Sequence, residues 1–271
     1  ELEDGGAINV GTWRESNLAG ATFKNVTFDG NTANNNGGAI YVVGETSSNI
    51  FEDVKFMNNT AKTSNGGAIF LGAKNSFNTV KNTFENVSFE DNTANSNGGA
   101  IYVTGKTSSN TFKDVKFTNN IAKTFNGGAI CLGTDNLLNS VNTFENVTFE
   151  DNIAYKNGGA LYIRGPSSSN EFKNVNFTNN VAQYADSGAV NFYGKISGTT
   201  FDNVIFYNNS AKRMGSSKTM GGAVNIDNGV ENCLFNNTFF IQNTAKNSAG
   251  ALSINGKISA LTFENTNFIN N

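Results

Sequence analysis

The chain has no histidine, one proline, one tryptophan and two cysteines among its 271 residues. Without histidine there is no Ser-His-Asp triad, no imidazole general base and no His-ligated metal. Cys131 and Cys233 lie far apart in apolar runs with no C-x-x-C pair. They therefore suggest buried small hydrophobes, and neither a disulfide framework nor a zinc site. Charge is scarce, with 19 Lys and Arg against 22 Asp and Glu, a net charge of −3. That excludes a strongly basic nucleic-acid platform and offers nothing to an anionic membrane surface. No run approaches the ~18 apolar residues of a membrane span, so direct insertion by this segment is not expected. The chain opens Glu1-Leu2-Glu3-Asp4 and passes straight into a repeated motif without a signal-peptide pattern, as a segment excised from something longer would.

What is abundant is asparagine (49 residues), glycine (29) and phenylalanine (23), and their spacing explains why. A small-Gly-Ala motif ends at Ala7, Ala39, Ala68, Ala100, Ala129, Ala160, Ala189, Ala223 and Ala251. A second motif, Phe-x-x-x-x-Phe-x-x-Asn, starts at Phe23, Phe51, Phe84, Phe112, Phe144, Phe172, Phe201, Phe235 and Phe263. Its closing residue is asparagine every time: Asn31, Asn59, Asn92, Asn120, Asn152, Asn180, Asn209, Asn243 and Asn271. Residues 1–271 thus form one array, expected as a single repeat domain.

Within a unit the hydrophobic period is two. After each motif alanine, positions +1 and +3 are aliphatic or Phe, as in Ile101 and Val103, while +2 varies. This is a strand with one buried and one outward face. In the second motif the two phenylalanines fall on opposite parity, which requires bends near Asn25 and near Gly30. Asn or Asp, tolerant of left-handed backbone, recurs at the first of these. Three short strands per ~30-residue unit, joined by sharp bends, describe a coil of a parallel β-solenoid. Like residues then stack about 4.8 Å apart. Eighteen of the phenylalanines would form two aromatic columns, and the asparagines a ladder of amides each bonding the next.

The paired signatures, Gly-Gly-Ala-Ile at 37–40, 66–69, 98–101 and 127–130 and Phe-x-x-Asn at 28–31, 56–59 and 89–92, resemble the polymorphic outer-membrane-protein repeat. Such repeats are found in chlamydial passenger domains and in adhesin-like surface proteins of methanogenic archaea. The resemblance covers essentially the whole chain. It implies an all-β fold, a right-handed single-stranded parallel β-helix (pectin-lyase-like) of about nine coils with roughly three strands each. It also implies an extracellular, cell-surface location and a role in cell adhesion, with a host- or partner-cell surface protein or glycan as partner.

The candidate binding residues follow from this frame. Tyr41, Phe70, Tyr102 and Tyr162 share the outward +2 column, interrupted by Cys131. Stacked aromatics there could dock sugar rings or a protein, or could be covered by the long side loops that carry Phe77, Leu137 and Leu138. Trp13, in the first side loop, is a further candidate. The competing reading is a polysaccharide-active lyase or glycosidase of the same fold, working through a carboxylate pair. Its candidates, Glu90-Asp91, Glu150-Asp151, Asp53 and Asp114, sit at repeated turn positions that change freely between copies. The expectation is no enzyme, no metal and no cofactor.

Overall fold

The computed structural model describes residues 3–11, 17–72, 79–107, 109–134, 138–212 and 220–271. Trp13, Phe77 and Leu137 lie outside these residues. Among the described residues there is no helix, and every strand pairing is parallel. The chain winds through three stacked sheets. The first holds nine strands, one after each motif alanine, from Ile8–Val10 through Ile101–Thr104 to Leu252–Ile254. The second takes the two arms of the Phe motif, such as Thr111–Lys113 and Lys116–Thr118. The third is eight two-residue strands, from Thr32–Ala33 to Thr244–Ala245. Nine passages through the first sheet and eight through the third give about eight complete turns.

Register follows the repeat. Phe84 pairs with Phe51 and Phe112, and Ala94 with Ala61 and Ala122. Both predicted bends are present. The residue two after each first Phe has φ between 45° and 56° in all nine copies, from Asn25 to Asn265. The second bend, from Gly30 through Asp91 to Asn270, is also left-handed throughout. Asn and Asp are the side chains that tolerate this backbone, and at the first bend they bond from coil to coil, as Asn86 does to Asp53.

The two glycines of Gly-Gly-Ala divide the work. Gly98 takes φ 64° to turn the corner. Gly99 lets coils approach, because a Cβ there would meet the Gly128 carbonyl oxygen at 2.0 Å. Inside the coil, rings of one column stack with centroids 4.9 Å apart and planes 2° apart, as in Phe84–Phe112. Rings of the two columns meet at a tilt, as in Phe112–Phe117 at 6.2 Å and 60°. Each internal phenylalanine therefore has aromatic neighbours above, below and beside it, and those from Phe51 to Phe206 are at most 1% exposed.

The asparagine ladder is satisfied on all sides. Asn92 Nδ2 donates to Asn120 Oδ1 at 3.0 Å and to the Phe56 carbonyl at 3.0 Å, while its main-chain N–H also reaches Asn120 Oδ1. The pattern repeats through Asn31, Asn59, Asn120, Asn152, Asn180, Asn209 and Asn243. A second buried column, two residues before the first Phe, links Asn49, Asn82, Asn110, Asn142 and Asn170. It ends where Thr199 and Cys233 take the position.

Candidate functional site

The outward face of the first sheet is where the molecule departs from uniformity. Its +2 column stacks Tyr41 on Phe70 at 5.0 Å and Phe70 on Tyr102 at 5.4 Å, then continues through Cys131 to Tyr162. Although these side chains point away from the coil, they form a second apolar cluster. Phe70 and Tyr102 are 9% exposed and Tyr162 4%, and only Tyr41 is half-buried. Being outward in a strand is thus not the same as being accessible. The rings stack from rung to rung, each shielding the next. Leu138 contributes no such cover, being itself exposed.

The coil between Tyr102 and Tyr162 carries the smaller Cys131 and Gly133 at the +2 and +4 positions. Arg164 hydrogen-bonds the Tyr102 hydroxyl across it, as does Thr104 from Tyr102's own strand. Burial pushes the Tyr102 phenol up to about 12, with Cys131 reinforcing it and Arg164 opposing. The hydroxyl therefore stays protonated at neutral pH.

Beside these residues a cleft of about 440 Å³ opens between the strand face and the corner that precedes Gly-Gly-Ala. One wall is Tyr102, Tyr162, Arg164 and Tyr193, and the other includes Phe125 and Lys156. The Lys156 ammonium lies 4.3 Å from the centre of the Phe125 ring, a cation–π contact. Phe125 and Tyr193 are exposed at 42% and 48%. Along the cleft runs a third amide column, the residue before Gly-Gly-Ala: Asn65, Asn97, Asn126 and Asn157. Asn97 Nδ2 donates to Asn65 Oδ1 at 2.9 Å, opposite in sense to the internal ladder. The column is capped by carboxylates, Asp4 accepting from Asn36 and Asp186 receiving the Met220 N–H.

The structure therefore brings Tyr102 and Tyr162 into one cleft and leaves Tyr41 and Phe70 further along the same column. The sequence reading missed Arg164, Lys156, Phe125, Tyr193 and the third amide column. The amide column had a signal, since asparagine precedes Gly-Gly-Ala in five consecutive copies. The other four occur once each at their positions, and repetition cannot point to them.

The carboxylates weighed for catalysis have other roles. Asp53 accepts from Asn86 at 2.6 Å and Asp114 from Asn146 at 2.9 Å, both as links in the exposed first-bend ladder. Asp91 and Asp151 hold left-handed second-bend positions. Glu150 faces Lys116 at 3.9 Å. Among the described residues no three His, Cys, Asp or Glu side chains gather as metal ligands, and Cys131 and Cys233 are both buried free thiols.

The family model of the Chlamydia polymorphic membrane protein repeat matches the chain five times, at residues 25–43, 53–72, 86–104, 114–133 and 146–164. No curated protein and no solved structure matches it. Each matched stretch runs from the first bend of the Phe motif, through the third sheet and Gly-Gly-Ala, to the outward strand. The last of them ends on Arg164, so most of the cleft lies within matched repeats. Five stretches of the chain thus match the Chlamydia polymorphic membrane protein repeat, and they wind with the flanking copies into one parallel β-solenoid.

Proposed function

We propose that residues 1–271 are one continuous, non-catalytic segment of a longer extracellular surface protein, an adhesin-like stalk that presents its side faces to a partner cell. The observation that carries this reading is the cleft at Tyr102, Tyr162, Arg164 and Lys156, set on an otherwise uniform coil. Its volume is in the range of small-ligand pockets. Aromatic faces suit the apolar faces of sugar rings, the amide column offers donors and acceptors to hydroxyls, and the two cations would pair with a carboxylate. The partner that fits best is a cell-surface glycan bearing acidic sugars. The uniform coil holds the cleft rigid, so binding would not carry the cost of ordering a loop. The polysaccharide-cleaving alternative has no support from the turn carboxylates, which are tied into bend ladders and ion pairs.

A panel of acidic and neutral glycans, probed with the wild-type segment and with Arg164→Ala and Lys156→Ala, tests this. Acidic glycans should bind, and each substitution should weaken binding by about tenfold, the loss of one charge-assisted contact. Binding that ignores both substitutions, or cell attachment that persists without glycans, would remove the cleft from the adhesion reading. Appearance of cleaved oligosaccharides would replace that reading with the enzymatic one.

A further inference from the structure

The corner between the third sheet and Gly-Gly-Ala is a second place where the copies diverge. Its first residue, directly after each third-sheet alanine, is held in register by main-chain bonds. Lys62 N–H donates to the Ala33 carbonyl, Asn95 to Ala61, Lys123 to Ala94, Tyr155 to Ala122, Gln183 to Ala154, Lys212 to Ala182 and Lys246 to Ala211. Four exposed lysines, Lys62, Lys123, Lys212 and Lys246, thus line one edge, with Lys156 beside them. From Asn34 on, Asp186 is the one carboxylate among the described residues of these corners, although the chain as a whole carries −3. Among the described residues none of the five lysines is in an ion pair. The pairs that form, from Lys24–Glu52 to Lys195–Glu231, lie on or beside the second sheet. Three consecutive coils also put an aromatic ring at this corner: Phe125, Tyr155 and Tyr184. The Tyr155 and Tyr184 rings pack 4.3 Å apart, and Tyr184 is exposed.

We infer that this edge is a track for a linear acidic polysaccharide laid along the coil axis, its carboxylates meeting the lysines and its sugar rings the Tyr155–Tyr184 pair. The inference rests on the acidic-glycan reading of the cleft and adds that the ligand is a polymer passing lengthwise beside it. Lys62 and Lys246 stand six rungs apart in register, about 29 Å at the strand spacing, which no single sugar can bridge. Exposed ion pairs are individually weak. Contacts joined on one chain act at high effective concentration, however, and the rigid coil fixes their spacing, so they accumulate. The tyrosine pair supplies a flat amphipathic surface in the middle of the track, next to Lys156 and the cleft. Nucleic acid is the poorer match. A duplex carries a charge about every 1.7 Å, far denser than these lysines, and the net charge of −3 repels it.

The test is a calorimetric titration of the whole chain with galacturonic acid oligomers, from the dimer to the dodecamer. Wild-type affinity should rise with length until the oligomer spans the track, and should fall more steeply with salt for long oligomers than for short ones. Lys62 and Lys246 are exposed and lie outside the cleft. The double variant Lys62→Ala/Lys246→Ala should therefore weaken the dodecamer about fivefold and leave the dimer unchanged, whereas Arg164→Ala should weaken both. The inference is overturned if affinity does not depend on length, or if the double variant binds the dodecamer as the wild type does. Arg164→Ala still weakening the dimer would then leave the cleft reading standing. Equal affinity for duplex DNA of the same length would overturn the polysaccharide assignment, and failure of both dimer and dodecamer to bind would overturn the track and the acidic-glycan reading together.

Discussion

The interior of the coil and the outward face of its first sheet are built from the same nine copies, yet they obey different rules. Inside, the two phenylalanine columns and the closing-Asn ladder keep their residue type from end to end, and only the second Asn column gives way, to Thr199 and Cys233. Outside, the +2 column passes from Tyr41, Phe70 and Tyr102 through Cys131 and Tyr162 to Asn191 and Asn225. The difference is one of constraint. An internal side chain must fit the one above and the one below at about 4.8 Å, so a change in one rung is felt by three. An outward side chain has a free side, and variation there can create a cleft or a polar cluster without unstacking the core. Function in a solenoid is thus to be sought where columns break.

The largest effect should come from breaking an interior column in its middle. Phe144 stacks on Phe112 and Phe172 and meets Phe149 at a tilt, and it is fully buried. Phe144→Ala should cost about 3–5 kcal/mol, read by denaturant unfolding. A cost below about 1 kcal/mol would mean that the coil closes over the gap, and that interior columns are no more constrained than outward ones.

Next in size is the ladder. Asn120 donates to Asn152 Oδ1 and to the Phe89 carbonyl, and accepts from Asn92. Asn120→Ala takes the shared acceptor from the Asn92 N–H groups and the amide donor from the Phe89 carbonyl in a solvent-free interior, while Asn152 Oδ1 keeps the main-chain N–H of residue 120. The expected loss is about 1–3 kcal/mol in the same unfolding experiment. Asn120→Asp should also be destabilising at neutral pH, because it buries a charge and removes the Nδ2 donor.

How much of this could be read from the sequence follows the same division. The interior was legible: nine aligned copies fix which Phe stacks on which, where both bends fall and which asparagines pair. Two further amide columns were equally legible in principle, one before Gly-Gly-Ala and one two residues before the first Phe. The outward face was legible only as a list of members. That Tyr102 is nearly buried, and that Arg164 two rungs on bonds its hydroxyl, are relations that no local pattern encodes. The cleft owes its character to Arg164, Lys156, Phe125 and Tyr193, residue types that each occur once at their repeat positions. A reading built on repetition discards single occurrences as noise, although they carry the chemistry.

The smallest effect sharpens the comparison most. Asn191 is as deeply buried as Asn120 and occupies a column of the same solenoid, but its amide makes no ladder bond to the rungs above and below. Replacing it with leucine, of similar length, removes an unanswered donor and acceptor and strands no partner. Asn191→Leu should lie within about 1 kcal/mol of the wild type, on either side. Set against Asn120→Leu, which leaves the same volume, the contrast isolates what hydrogen bonding contributes, because burial and both residue types are held constant. If Asn191→Leu costs as much as Asn120→Leu, the Asn191 amide is bonded in solution. The outward column would then be closed along its whole length, as the interior ones are, and the distinction between the two faces would fail.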